Sequence, residues 1–284
     1  MLRDRTKKIL NKYGIRLSKG KGQSHLVDRE VLERIVEYAD VSERDEVLEI
    51  GPGIGNLTRF LLERAGKLNV VEKDNRLIEV LRDRFGESEN LKIIRGDVLE
   101  VKLPDFEKVV ANLPYSISSP VTFRIIERDF DLAVLMYQKE FAERMVASPG
   151  SSQYSRLSVG VSYHGEAEIL EEVPPDKFLP PPQVNSAIVR FEPRSPSFKV
   201  DDEDLFFKVI RGTFGHRRKK LRNGLVYSFE EIFPGADGFS RARKRKVIDE
   251  SVPEKFAERR PENITPEEFA IVSNSLNEAR ELID

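Results

Sequence analysis

Short apolar runs alternate with amphipathic stretches over the first two thirds of the chain. Residues 28–39 place Val31, Leu32, Ile35, Val36 and Ala39 at helical spacing, with Asp28 as N-cap. Glu46-Val47-Leu48-Glu49-Ile50 reads as a first strand. A glycine turn follows at once, Gly51-Pro52-Gly53-Ile54-Gly55, and a helix over 56–63. Residues 68–71 form a second strand that ends at Glu72, before a helix over 76–85 with Leu77, Val80 and Leu81 inward. A third strand, 91–95, leads into Gly96-Asp97-Val98. A fourth, 108–111, runs into Asn112-Leu113-Pro114-Tyr115. Pro120 suits the first turn of a helix to 127. Residues 132–137 are apolar throughout, so this fifth strand is expected to be central. Helices over 138–146 and 159–163, then strands over 167–173 and 187–191, complete the pattern. A proline-dense loop, 174–182, separates the last two strands. The alternation predicts an α/β fold with an open, mostly parallel sheet, helices on both faces and an antiparallel pair at one edge.

Arg194-Ser195-Pro196-Ser197 reads as a linker, and the period beyond it is helical only: 203–214, 219–229, 241–251, 256–259 and 266–282. Thr265 caps the last helix, with Glu268 placed for a capping box. Two domains are therefore expected, 1–193 and a small all-α domain over 198–284. The first twenty residues are polar and basic, and read either as a frayed, solvated terminus or as an arm near RNA phosphates.

Composition changes this picture only in places. The chain has 284 residues, no Cys and three His without metal-ligand spacing, so no disulfide, thiolate site or metal is expected. Residues 1–12 have no apolar run and do not read as a signal peptide, and no stretch approaches the ~20 apolar residues of a membrane span. A cytoplasmic protein is expected. The net charge of −2 conceals two dense basic runs. They are Arg217, Arg218, Lys219, Lys220 and Arg222 in one, and Arg241, Arg243, Lys244, Arg245 and Lys246 in the other. In a chain otherwise acidic they read as a phosphate-binding surface rather than a merely solvated face.

The candidate chemistry lies at the ends of the strands. A strand–glycine turn–helix context lets backbone approach a nucleoside cofactor. Glu72 is placed to accept from ribose hydroxyls, Asp97 from an exocyclic amine, and Val98 to pack on the cofactor's adenine. A polar residue, a proline and an aromatic at the end of a strand suit a planar ring, adenine above all. Its exocyclic nitrogen is a poor nucleophile. Asn112 Oδ1 and the Leu113 carbonyl can accept its two protons and turn its lone pair towards an electrophilic methyl, without a strong base. Tyr115 can stack on one ring face, and the target must be unpaired or flipped out. Phe178, framed by prolines, is the candidate for the other face, with a core-capping aromatic as the alternative.

The chain resembles the small-subunit ribosomal RNA adenine N6,N6-dimethyltransferases, and the archaeal branch in particular, over nearly its whole length. The resemblance rests on Gly22-Gln23…Leu26, Glu49 to Gly55, Glu72, Gly96-Asp97, Asn112-Leu113-Pro114-Tyr115, Gln138 to Arg144, Arg156-Leu157-Ser158 and Phe178…Pro180…Pro182…Val184. It implies a Rossmann-like class I methyltransferase domain, S-adenosylmethionine as cofactor and S-adenosylhomocysteine as product. It also implies dimethylation of two adjacent adenosines in a loop near the 3′ end of small-subunit rRNA. The expected partner is the immature small subunit, during ribosome biogenesis, and an assembly-checkpoint role accompanies catalysis in the family. Gln23, Ser24, Leu26, Gly51, Gly53, Glu72, Lys73, Asp97, Val98 and Asn112 are implied to line the cofactor pocket. Ser24 and His25 stand where the family usually has Asn or His and then Phe, so altered cofactor binding is expected there. With no coiled-coil seam, a monomer is expected. The nearest rivals are a large-subunit rRNA adenine methyltransferase, a DNA adenine methyltransferase, an NAD-dependent dehydrogenase and a non-catalytic assembly factor. The dehydrogenase reading leaves Asn112 to Tyr115 unexplained.

Overall fold

The structure, a computed structural model, describes residues 1–15 and 24–282. Two compact units result: residues 1–143 with 165–193, and residues 144–164 with 194–284. The sequence pattern placed everything up to 193 in one domain. The segment 144–164 instead packs with the helical unit, because Tyr154 and Val159 bury their side chains in its core.

The first unit contains α1 (Leu2–Lys12), β1 (His25–Leu26), α2 (Arg29–Tyr38), β2 (Glu46–Ile50), α3 (Asn56–Leu62), β3 (Lys67–Glu72), α4 (Asn75–Phe85), β4 (Leu91–Arg95), β5 (Lys108–Asn112), α5 (Ser118–Ile126) and β6 (Leu132–Gln138). It then runs into α6 (Lys139–Met145). After α7 (Arg156–His164), which belongs to the other unit, it resumes with β7 (Gly165–Val173), β8 (Phe178–Leu179) and β9 (Ser186–Pro193). The seven-stranded sheet has the order β4-β3-β2-β5-β6-β9-β7. Only β9 runs against the others, and it is inserted between β6 and β7, so the edge strand is β7. β6 is buried along nearly its full length, as its unbroken apolar run predicts.

The basic N-terminal stretch is not a solvated arm where it is described. Leu2, Thr6, Ile9 and Leu10 share one face of α1. Leu10 and Ile15 pack with Ile54, Leu77 and Val80. A high density of Lys and Arg on the other face hides this stripe from a reading by composition. Asn56 ties the helix to the glycine turn, donating from Nδ2 to Thr6 Oγ1 at 3.1 Å and to the Leu26 carbonyl at 2.9 Å.

The second unit adds α8 (Glu203–Gly215), α9 (Leu221–Tyr227), α10 (Phe229–Ile232), α11 (Arg241–Ser251), α12 (Glu254–Ala257) and α13 (Pro266–Glu278). The span read as one helix over 219–229 breaks at Ser228, whose hydroxyl donates to the Gly212 carbonyl of α8. Thr265 and Glu268 form the full capping box of α13. Among the described residues, no helix is long and apolar enough to cross a membrane.

Asn69 is 0% exposed in the middle of β3, and neither its Oδ1 nor its Nδ2 has a partner. An unpaired buried amide costs about 1–3 kcal/mol. Asn69→Leu, of similar volume, is expected to raise the urea midpoint by about 1 kcal/mol or more of stability. An unchanged or lower midpoint would show that the amide is satisfied in solution.

Candidate active site

The site lies where the strand order reverses, between β2 and β5. These two strands pair over only Val47↔Lys108 and Leu48↔Val109, whereas β2–β3 and β5–β6 each pair over five residues. Beyond that point the two chains separate, and a cavity of about 580 Å³ opens past their carboxyl ends. Its lining includes the glycine turn, Glu72, Lys73, Asp97, Val98, Asn112, Leu113 and Tyr115, together with Ser24, His25 and Leu26. The sequence reading therefore assembles at one place, apart from Gln23, Phe178 and the two basic runs. Gln23 lies outside the described residues.

The glycine turn touches the tetrapeptide. Gly51 has φ +64°, and a Cβ there would meet the Pro114 ring at 3.4 Å. Gly53, at φ +60°, lies under the His25 ring. A Cβ would come within 2.7 Å of its Cε1, so Gly53 is required by both conformation and space. Burial pushes the His25 imidazole down to about 4, and the ring is neutral at pH 7.

Besides Asp74, three carboxylates line this space. Glu72 caps its own strand end: Oε1 accepts from the backbone N–H of Lys73 at 2.8 Å and of Asp74 at 2.9 Å, and Oε2 faces Gly53 N at 3.4 Å. Burial raises its pKa against those hydrogen bonds. Asp97 accepts from Leu99 N at 3.0 Å, and Lys73 Nζ stands 3.6 Å from its other oxygen. Glu49 is the third, and the sequence reading gave it no role. It is 1% exposed, accepts from Thr58 Oγ1 at 2.7 Å, and burial pushes it up to about 8, the nearby Glu72 adding to the shift. Its signal was available: a Glu between Leu48 and Ile50 in an otherwise apolar strand is a buried acid.

Asn112 donates from Nδ2 to the Ser24 carbonyl at 3.3 Å. That bond sets which end of the amide donates and leaves Oδ1 as an acceptor. Ser24 thus contributes a backbone atom, which any residue at that position supplies. Leu113 is buried, and Tyr115 opens a short 3-10 turn, half-buried. The Tyr115 hydroxyl and Ser186 Oγ are 2.5 Å apart. Burial keeps this phenol protonated, raising its pKa. Ser186, buried at the start of β9, was also missed.

Phe178 needs correction as the second stacking face. It does not line the cavity and is 0% exposed, packed with Leu26, Leu32, Val173 and Ile188. Antiparallel pairing of β8 with β1, Leu26↔Phe178, places it in the core.

The basic runs are also less bare than their sequence. Arg217 pairs with Glu262, Lys220 with Glu258, and Arg222 with Asp249 and Glu258. Lys244 pairs with Glu230, Arg245 with Asp249 and Lys246 with Glu250. Arg218, Lys219, Arg241 and Arg243 have no such carboxylate among the described residues. Asp249 and Glu250 stand one helical turn from Arg245 and Lys246, and the other acids come from elsewhere in the chain, so a run of like charge in sequence overstates the local field.

The comparisons agree with this geometry. Residues 15–256 match the family model described as "Ribosomal RNA adenine dimethylase". A Methanococcoides burtonii protein described as "Probable ribosomal RNA small subunit methyltransferase A" is 47% identical over 274 residues, 96% of this chain and 98% of that one. A solved dimethyladenosine transferase from Plasmodium falciparum superposes with TM-score 0.77 at 32% identity, over 89% of this chain and 97% of that one. The solved 23S rRNA methyltransferase ErmE superposes with TM-score 0.64 at 27% identity, over 89% and 99%. With the strand order, the cavity at its reversal and the match over most of its length, the chain belongs to the ribosomal RNA adenine dimethylase family.

Proposed function

We propose that this protein uses S-adenosylmethionine to dimethylate N6 of two adjacent adenosines in a loop near the 3′ end of small-subunit rRNA. It acts as a cytoplasmic monomer on the immature subunit during ribosome biogenesis. The observation that carries this reading is the Asn112 amide, oriented by the Ser24 carbonyl, beside Leu113 and Tyr115 in one cavity with Glu72 and Asp97. Small-subunit relatives at 47% identity, against 27% for the large-subunit enzyme, favour the small subunit.

The cavity suits the cofactor. Its two backbone-close glycines leave room beside the turn, Glu72 can accept from ribose hydroxyls, and Asp97 from an adenine amine. S-adenosylmethionine, when bound, supplies an electrophilic methyl on a sulfonium. Asn112 Oδ1 and the Leu113 carbonyl accept from the N6 hydrogens of the target and direct its lone pair. Tyr115, its hydroxyl anchored on Ser186, holds the ring face. Methyl transfer would leave positive charge on the target nitrogen, which Asn112 Oδ1 and the Leu113 carbonyl would stabilise until its proton is lost to water. The helical unit, through Arg218, Lys219, Arg243 and exchange of the paired cations, grips RNA phosphates.

Asn112→Ala is expected to lower methyl transfer to immature small subunits by about 10²–10³-fold, with subunit binding retained. Radiolabelled transfer followed by nucleoside analysis reads the first, and co-sedimentation the second. Retained transfer would sink the assigned role, and lost binding would point to a folding defect. Tyr115→Phe and Ser186→Ala are expected to raise the KM for RNA severalfold and alike, without additivity in the double variant. Additive effects would separate the two residues.

Glu49 adds a pH dependence. Its folded-state pKa, about 8, lies above the ordinary carboxylate value of 4.5. Its contribution to stability is therefore fully present below pH 4.5 and lost as pH rises through about 8. The slope is at most about 1.4 kcal/mol per pH unit. The unsubstituted protein is expected to lose denaturant midpoint between pH 5 and 8, and Glu49→Gln to flatten that decline. Parallel profiles for the two proteins would mean that Glu49 is ionised throughout.

A further inference from the structure

A second cavity, of about 300 Å³, lies in the helical unit, lined by Asn223, Val226, Tyr227, Arg241, Ala242 and Arg245. It is formed where α9 and α11 meet, and the second basic run reaches it through Arg241 and Arg245. Tyr227 is 51% exposed, one of few large hydrophobic side chains so open among the described residues. The Arg241 guanidinium stands 5.6 Å from the centre of its ring, and His216 flanks it at 5.0 Å. Arg241 has no carboxylate partner among the described residues, whereas Arg245 is held by Asp249 at 2.9 Å and by Asn223 Oδ1 at 3.2 Å. The bond from Arg245 occupies the oxygen of the Asn223 amide and leaves its Nδ2 as a donor.

An exposed aromatic face, an uncompensated guanidinium beside it and a free amide donor over a small cavity are the parts that hold an unpaired nucleotide. The base gains from stacking whatever its identity, the cation meets a phosphate, and the amide meets a base edge. A duplex offers no such free base face. We propose that this cavity binds one unpaired nucleotide of RNA, its base on Tyr227 and its phosphate at Arg241. The proposal rests on the RNA-modifying function above and adds to it a second nucleotide site in the other unit.

The test is fluorescence anisotropy of the full chain with a labelled oligouridine, which presents no adenine to the methyl-transfer site, over a series of salt concentrations. Tyr227→Ala is expected to weaken binding about tenfold, Tyr227→Phe to keep it, and Arg241→Gln to reduce the slope of log K against log salt by about 0.7. Binding of S-adenosylmethionine, read by calorimetry, and thermal unfolding, read by circular dichroism, are expected to be unchanged in all three. Equal oligouridine affinity for Tyr227→Ala and the unsubstituted protein overturns the proposal while leaving the function intact. Equal affinity together with lost binding to immature subunits overturns it in favour of a protein contact. If the unsubstituted protein binds neither oligouridine nor subunits, the RNA-modifying reading itself falls, and this site with it.

Discussion

The short pairing between β2 and β5 is the constraint on which the site depends. Two residue pairs hold these strands side by side, and then each turns towards the neighbour on its other side. The gap is unavoidable at a reversal of strand order, because successive connections leave in opposite directions. It brings the glycine turn after β2 and the tetrapeptide after β5 face to face, so close that a Cβ on Gly51 would meet the Pro114 ring. α1 and β1 then close the space through Asn56, Leu26 and Ser24. The family's strand-end chemistry thus depends on a segment that looks, from its composition, least like a structured one.

Electrostatics around the cavity divides the carboxylates by their hydrogen bonds. Glu72 has backbone N–H donors that favour its charged form, whereas Glu49 has one hydroxyl and complete burial. Two carboxylates so close in a site of low dielectric are more stable with one of them protonated. A neutral Glu49 therefore leaves the negative charge of the pair on Glu72. His25, neutral through burial, packs on Gly53 as an apolar ring. This explains how a His serves at a position where the resemblance leads one to expect a Phe.

In the helical unit the same accounting redistributes charge. Six of the ten cations in the two sequence runs are paired with Glu230, Asp249, Glu250, Glu258 and Glu262. The cations that lack a carboxylate include two on aromatic rings, Arg241 on Tyr227 and Arg243 on Phe239 at 3.5 Å. Exposed ion pairs hold little energy and are open to exchange with phosphate, so the paired residues provide a reserve of charge and the stacked ones a shape.

Spacing along the chain was sufficient to read the parallel strands, the turn between β2 and α3, Glu72, Asp97 and the tetrapeptide, because period, glycine placement and strand ends are local properties. The residues that escaped it answer to neighbours distant in sequence. α1 is a helix because Ile54, Leu77 and Val80 offer it an apolar seat. Phe178 is core because β8 pairs with β1. Residues 144–164 belong to the helical unit because Tyr154 buries its ring there and donates its hydroxyl to the Ile264 carbonyl. Ser186 matters through a hydroxyl contact with Tyr115, 71 positions away. Periodicity records which side of an element is apolar, but only the folded chain decides what that side meets.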